Sequence, residues 1–503
     1  MTNLSDLFPA GAGKQVSFTA SGNVTSSGKP VVLNSDGTVS EVGPSSGNEG
    51  IGTPEIFESG SINYIASAYD SNANKVVIAY DDGGDSNQGK AVVATVSGTT
   101  ITYGTPEPFD SGNAAEYIAA TFDSTNNKIV IVYRQGNFPS GTYGYGYAVV
   151  GTVSGTSITF GTRVAFNSGA TTNIGPNGID FDSTGNHVVI AYRDDSNSDY
   201  GTLIAGEVSG TSITFGSAYV FESNQTSYHS VTYDPDQDRT VFAWRTESGG
   251  TGYGRVGIAQ LTGSNIAQVG GYATFCVAST AYITTAYDTS QDKIVVAWTD
   301  GGNSSYGTGT VVTIAGGATN TVTLDRSNNQ VFNSASTGPI ARSAFDTNLN
   351  KTIVAYCNSV SPFYGYAVRG TVSGVTITFS TPFLIASTQV SGNQTTSFDS
   401  SSNNVVYAYR DVDNSSSGTA VVYTDSATNL TSTNFLGISD AAISSAASGN
   451  ITIKGGIAAT GLSSLTPASD YYVQDDGTIT TVSSSVKAGK ALSATAINLE
   501  YTS

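Results

Sequence analysis

The chain has 503 residues, of which only 12% are charged, with 58 Gly and 28 Tyr. That balance suits short strands and turns and lacks the Leu, Glu and Lys of long helices, so the fold class is read as all-β. Twenty Lys and Arg against 39 Asp and Glu give a formal net charge of −19, which repels a phosphate backbone and excludes nucleic acid as a partner.

The opening "MTNLSDLFPAGAGKQ" has no basic stretch leading into an apolar one, and no window approaches the roughly 18 apolar residues of a membrane helix. Neither a secretory signal nor membrane insertion is expected. Within "FTASGNVTSSGKPVVLNSDGTVSEVG" (18–43), the "NSDGT" reads as a hairpin turn between two strands. Next comes "GTPEIFESG" (52–60), nearly identical to "GTPEPFDSG" (104–112).

From residue 69 a string repeats. "YDSNANKVVIAYDD" returns as "FDSTNNKIVIVYRQ", "FDSTGNHVVIAYRD", "YDPDQDRTVFAWRT", "YDTSQDKIVVAWTD", "FDTNLNKTIVAYCN" and "FDSSSNNVVYAYRD". The shared aspartates, Asp70, Asp123, Asp182, Asp234, Asp288, Asp346 and Asp399, are 53, 59, 52, 54, 58 and 53 residues apart, which is a repeat period. Each aspartate starts a turn and is expected to accept backbone N–H bonds from residues just ahead, a structural role worth about 1 kcal/mol.

In the first copy "YIASAYD" (64–70) and "KVVIAYD" (75–81) are strands around the turn "SNAN". The unbroken Val and Ile of the second predict burial on both faces. "GKAVVATVSG" (89–98) and "TTITYGTPEPF" (99–109) follow as a third and fourth strand. Four antiparallel strands per unit of about 50 residues describe a propeller blade. The seventh unit stops after its third strand, "GTAVVYT" (418–424), while the missing fourth-strand pattern stands before the first unit at 52–60. The sequence therefore predicts a seven-bladed β-propeller of four-stranded blades over 51–431, closed by an N-terminal strand that removes two exposed edges.

Turns between strands one and two and between three and four are short and uniform. Loops from strand two to three vary and share the opposite face, where binding residues usually lie. Their candidate ligand-binding residues are Arg134, Tyr143, Tyr145, Tyr147, Arg193, Tyr200, Arg245, Tyr253, Tyr306, Tyr364 and Arg410. Tyr offers a flat surface to sugar or protein at low entropic cost, and Arg offers planar donors to carboxylates. Acidic clusters at 81–86 and 411–414 have the oxygen ligands calcium takes but not the spacing of a calcium-binding loop, so no cofactor is assigned. His187 and His229 belong to no nucleophile motif, and the Ser-x-Asp-x-Gly-x-Thr-Trp boxes of propeller sialidases are absent from the turns. The chain is therefore not read as an enzyme, with glycan cleavage by converging carboxylates as the exception to test. Cys276 and Cys357 match no metal spacing and read as small buried hydrophobes.

Residues 1–50 and 432–503 do not follow the repeat. "VVLNSDGTVSEV" and "YYVQDDGTITTV" read as two versions of one hairpin, and closure of the propeller brings both ends together, so they are expected to form one small β domain. Strand polarity predicts that this domain lies opposite the variable loops. The stretches "GKPVVLNSDGTVSEV", "FLGISDAA" with "ITIKGGI", and "YYVQDDGTITT" followed by "KAGKALSAT" resemble a module of bacteriophage virion structural and tail-fibre-like proteins, particularly marine ones. The resemblance covers about a quarter of the chain. It implies a homo-oligomeric virion surface protein, held to other virion proteins by its end domain and presenting a loop face to host glycan or protein. A purely architectural capsid or tail decoration protein is the alternative, and a glycan-cleaving propeller the third.

Overall fold

The computed structural model describes residues 14–43, 50–136, 144–247, 250, 252–316, 320–424, 430, 431, 433–474, 477–481, 484 and 486–500, the side chains of 268 and 393 excepted. Regular structure among them is strand, apart from single 3-10 turns. The chain divides into two compact units, one spanning Ile51–Thr424 and the other built from Met1–Gly50 with Asp425–Ser503.

The repeated aspartate is explained by the turn it opens. The Asp70 carboxylate accepts from the amides of Asn72 (3.0 Å) and Ala73 (2.8 Å). Asp123, Asp182, Asp288, Asp346 and Asp399 take the same two amides of their own turns, and Asp234 takes that of Gln237. Four residues after each aspartate the backbone turns left-handed, at Asn74, Asn127, Asn186, Asp238, Asp292, Asn350 and Asn403, with φ between 52° and 60°. Asn and Asp tolerate that region better than other side chains with a Cβ, which is why the turn ends on them in every copy.

Beyond the turn lies a second strand: Lys75–Asp82, Lys128–Gln135, His187–Asp194, Arg239–Thr246, Lys293–Asp300, Lys351–Asn358 or Asn404–Asp411. Each pairs antiparallel with its inner strand on one side and a third strand on the other. Their Val and Ile are buried, as two covered faces require. The outer strand then runs on into the next unit. Glu107–Asp123 pairs first with Gln88–Ser97 of unit one and then with Lys128–Gln135 of unit two, and Tyr219–Asp234 makes the same passage from unit three to four. The seventh unit (Val390–Asp399, Asn404–Asp411, Ser417–Thr424) receives its outer strand from the start of the chain, Glu55–Ser61, in the register Ser417↔Ser61, Gly418↔Glu58 and Thr419↔Ile56.

Apolar cores fill the spaces between successive units, including one shared by units seven and one (Val406, Ala408 and Val422 with Ile65, Val76 and Ile78). In six of the seven units a phenylalanine of the outer strand wedges against an aromatic of the next unit's second strand. The pairs are Phe109–Tyr133, Phe166–Tyr192, Phe221–Trp244, Phe275–Trp298, Phe332–Tyr356 and Phe57–Tyr80, with centroids 4.7–5.3 Å apart. Across from each ring the third strand carries glycine, because a Cβ at Gly146, Gly307 or Gly418 would lie 2.3–2.4 Å from the phenylalanine. In unit six Ile385 stands where the others have phenylalanine.

Inner strands are joined by short polar side chains. Ser230 and Thr232 bond Thr285 at 2.8 and 2.7 Å, and Ser67 bonds Thr395 and Ser397 at 2.9 and 2.6 Å, linking units seven and one. Arg342, on unit six, reaches the Ala120 carbonyl of unit two (2.7 Å) and Asp180 of unit three (3.3 Å). Asp180 also accepts from Thr121 and from the Tyr233 amide, so four units meet at this one carboxylate. Cys276 and Cys357 are buried free thiols.

In the unit formed by the chain ends, Pro30–Leu33 and Val39–Glu41 form the hairpin read at "NSDGT", with Gly37 left-handed and Asp36 accepting from the Thr38 amide. This hairpin joins Phe435–Ser439, Ser448–Ile453 and Gln15–Thr19 in one sheet, so both ends of the chain build it. Asp470–Val473 and Ile479–Thr480 repeat the hairpin in a second five-stranded sheet.

Candidate functional site

The first residues of the seven inner strands line one cavity of about 140 Å³. Tyr64 comes from unit one, Tyr117 from two, Asn173 and Asn177 from three, Tyr228 and His229 from four, Tyr282 from five, Pro339 from six and Gln394 from seven. Because neighbouring strands are antiparallel, these residues lie at the same end of their sheets as the variable loops between second and third strands.

Local backbone turns the rings inward. Tyr117, Tyr228 and Tyr282 each have left-handed φ (50°, 53° and 51°), and strand register slips just after each one, at Glu116/Ala119, Ser227/Ser230 and Ala281/Thr284. An extra residue in one strand re-aims the side chain there. Such φ on an aromatic residue costs of order 1–3 kcal/mol and persists only where the surroundings enforce it. Tyr64 is held otherwise, since Asp81 accepts the amides of Asn63 (2.6 Å) and Tyr64 (2.7 Å). The rings meet in two pairs, Tyr64–Tyr117 and Tyr228–Tyr282, each with centroids 5.2 Å apart. Burial holds the Tyr64 and Tyr282 phenols above their usual range, so they stay protonated donors.

His229 fixes the third unit's contribution. Its Nδ1 lies 2.7 Å from the Asn173 carbonyl, which can only accept, so Nδ1 carries the proton and Nε2 accepts from Thr226 at 2.9 Å. Burial pushes its pKa down to about 4. Neutral and bonded at both nitrogens, it anchors the segment 173–177 and is committed as neither base nor nucleophile. Asn177, 3% exposed, turns Nδ2 to the Ile283 carbonyl at 3.4 Å, and its Oδ1 finds no donor among the described residues. Gln394 is satisfied, donating to the Pro339 carbonyl at 2.6 Å and accepting from Tyr407. Ile118, Ile174, Ile283 and Ile340, all buried, supply the apolar lining. Among the described residues that line it, none carries a charge at neutral pH.

None of the described sequence-derived candidates lines this cavity. Arg134 stands over the Tyr117 ring at 5.1 Å but is ion-paired to Glu116. Arg193 is held by Asp195 (2.5 Å) and Arg245 by Glu247 (2.7 Å), so these guanidiniums already have carboxylates of their own. Arg410 donates to Ser416. Tyr147 is sandwiched between Tyr133 and the Arg163 guanidinium, and Tyr145 is exposed beside it. Tyr200, Tyr253 and Tyr306 share one position, the first residue of the third strand, each half-buried; Tyr364, also half-buried, lies in the unit-six loop. Tyr143 lies outside the described residues. In the acidic stretch 81–86, Asp82 binds Lys90 (2.7 Å) and the Gly84 amide (2.9 Å). Among the described residues no three His, Cys, Asp or Glu converge as metal ligands would. The cavity tyrosines had one sequence signal: Tyr64, Tyr117, Tyr228 and Tyr282 each stand six residues before the repeated aspartate.

No family model matches the chain, and no curated protein matches it. Among solved structures it is similar to Hadza microbial sialidase Hz136, with TM-score 0.42 and 10% identity over 77% of this chain and 69% of that one. It is also similar to Trypanosoma rangeli sialidase (0.41, 10%), covering 82% of this chain but 59% of the enzyme, and to AofleA from Arthrobotrys oligospora (0.39, 12%; 66% and 92%). At these TM-scores and identities the likenesses carry no argument about this chain.

Proposed function

We propose that Ile51–Thr424 closes into one seven-bladed ring whose axial cavity binds a sugar ring without cleaving it, and that the chain serves at a virion surface to attach to host glycan. Closure is supported by three couplings between units seven and one: the outer strand Glu55–Ser61, the Phe57–Tyr80 wedge, and the bonds from Ser67 to Thr395 and Ser397. The binding role rests on one observation, the four cavity tyrosines, three of them on strained backbone. Strain of this kind clusters where geometry serves a ligand, and aromatic faces take the C–H face of a sugar at little entropic cost. A hydrolytic role is disfavoured because the described lining residues include no carboxylate pair and His229 is already bonded at both nitrogens.

The virion setting rests on the flanking sequences that resemble tail-fibre-like modules. In this reading the unit formed by the chain ends binds other virion proteins, copies self-associate, and many weak sites on one particle gain avidity. The test is a glycan array probed with the whole chain beside a Tyr117→Ala/Tyr282→Ala variant. Saturable binding lost in a folded variant is expected. A chain that binds no glycan, even when multimerised on beads, would point to the architectural role.

A further inference from the structure

We infer that a second binding groove, between units four and five, takes a glycan segment in which a carboxylate-bearing sugar is joined to an uncharged one. It shares no lining residue with the axial cavity and does not depend on it. The groove has two halves. One, of about 520 Å³, lies on the third and outer strands of unit four and is lined by Tyr253, Arg255, Thr274, Val277 and Arg326. The other, of about 440 Å³, continues past Val277 and Arg326 to Asp300 and Asn303, in the unit-five loop between second and third strands. Both volumes fall in the range of small-ligand pockets, roughly 300–1,000 Å³.

The first half is cationic. Every other arginine of the chain is ion-paired or hydrogen-bonded to a described side chain. Arg326, exposed on the short turn Arg326–Asn328, makes neither bond among the described residues. Its neighbour Asp325 is turned to the Ser327 amide and hydroxyl, at 2.9 and 2.7 Å. Arg255 is balanced by Glu222 (2.6 Å), which does not line the groove, so the uncompensated charge here is that of Arg326. Among the described residues no carboxylate lines this half. A guanidinium fork matches the two oxygens of a carboxylate, and in a chain of net charge −19 a free one beside a groove marks where an anion can settle.

The second half has the opposite preference. Asp300 Oδ1 accepts the Gly302 amide at 2.9 Å and the Cys276 thiol at 3.5 Å, which leaves Oδ2 for a ligand hydroxyl. Exposed Asn303 adds an amide beside it. A hydroxyl is held there, whereas a second carboxylate is repelled. Val277, 57% exposed, stands where the halves meet and offers an apolar contact to the C–H face of a sugar.

The test is calorimetric titration of the whole chain with hyaluronan tetrasaccharide, in which glucuronate alternates with an uncharged sugar, beside tetragalacturonate, maltotetraose and tetraglutamate. The alternating glycan should bind about tenfold or more tightly than maltotetraose, the effect of one charged hydrogen-bonded contact, and should weaken with added salt. Arg326→Gln, which breaks no bond among the described residues, should lose about tenfold. Lys128→Gln, which removes the same charge from unit two, and Tyr117→Ala/Tyr282→Ala should leave binding unchanged. An equal loss in Lys128→Gln would reduce the effect to net charge and overturn the inference. Maltotetraose binding as tightly would overturn the carboxylate, tetragalacturonate as tightly the alternation, and tetraglutamate as tightly would give the groove to an acidic peptide. Binding lost in Tyr117→Ala/Tyr282→Ala but kept in Arg326→Gln would overturn this groove and leave the axial reading standing. No binding of any probe would also overturn it, while the axial reading answers to its own glycan array.

Discussion

Phe57 is where closure can be tested most sharply. It belongs to the strand that the start of the chain lends to the seventh unit, and it is 7% exposed. Its ring packs on Tyr80 (5.1 Å) and Tyr103 (5.9 Å) of the first unit and fills the space left by Gly418. Phe57→Ala removes that wedge and leaves a cavity between two sheets that cannot easily collapse, so the loss should be about 3–5 kcal/mol. Phe109→Ala makes the same cut one unit along, at 6% exposure, and is the internal control. Urea unfolding followed by tryptophan fluorescence suits the purpose, because Trp244 and Trp298 sit in units four and five, well away in sequence from either cut. In a closed cooperative ring both variants shift the tryptophan transition by the same amount to within about 1 kcal/mol. A loss below about 0.5 kcal/mol for Phe57→Ala, the range of ordinary surface changes, beside a full loss for Phe109→Ala would refute closure by this strand.

Three further outcomes are expected. Arg342→Ala should cost about 2–3 kcal/mol in urea unfolding, as expected for bonds from a charged donor, because it cuts unit six from Ala120 and Asp180; a loss under about 0.5 kcal/mol would show the link to be idle. Gly104→Ala should lower the melting temperature measurably, since its Cβ would stand 1.7 Å from the Thr156 carbonyl of the next unit and backbone must move. Asp234 has its carboxyl pushed up to about 6 by burial, with Asp292 and Asp236 adding repulsion. The folded state thus holds this proton more tightly than the unfolded chain, so the stabilisation is full below about pH 4 and lost as pH rises through 6. Asp234→Asn should therefore flatten that part of the stability-against-pH curve and raise stability at pH 7, a gain differential scanning would detect.

Turns were the most legible part of the fold, because they depend on local chemistry. An aspartate followed four residues later by Asn or Asp states a hydrogen-bonded turn and its left-handed exit in one string. The buried second strand was legible for a similar reason, its unbroken Val and Ile. The site was not. Loops between strands two and three drew attention by their Tyr and Arg, yet Arg193 and Arg245 fold onto carboxylates only two residues away, Asp195 and Glu247. That pairing was open to view in "RDD" and "RTE". The cavity residues are drawn from seven distant segments, and whether Tyr228 faces a core or the cavity depends on a left-handed φ that tyrosine itself does nothing to announce.

The borrowed outer strand also sets an order of events. Pairing Glu55–Ser61 with Ser417–Thr424 joins segments about 350 residues apart, and closing a loop of that length costs roughly 5 kcal/mol of chain entropy. On a ribosome the strand made first waits for the one made last. Until Thr424 has emerged, a growing chain carries two open β edges, the kind of surface that recruits strands from other chains. Prematurely terminated products should thus gather in the insoluble fraction, and synthesis speed bears on how much protein survives to close.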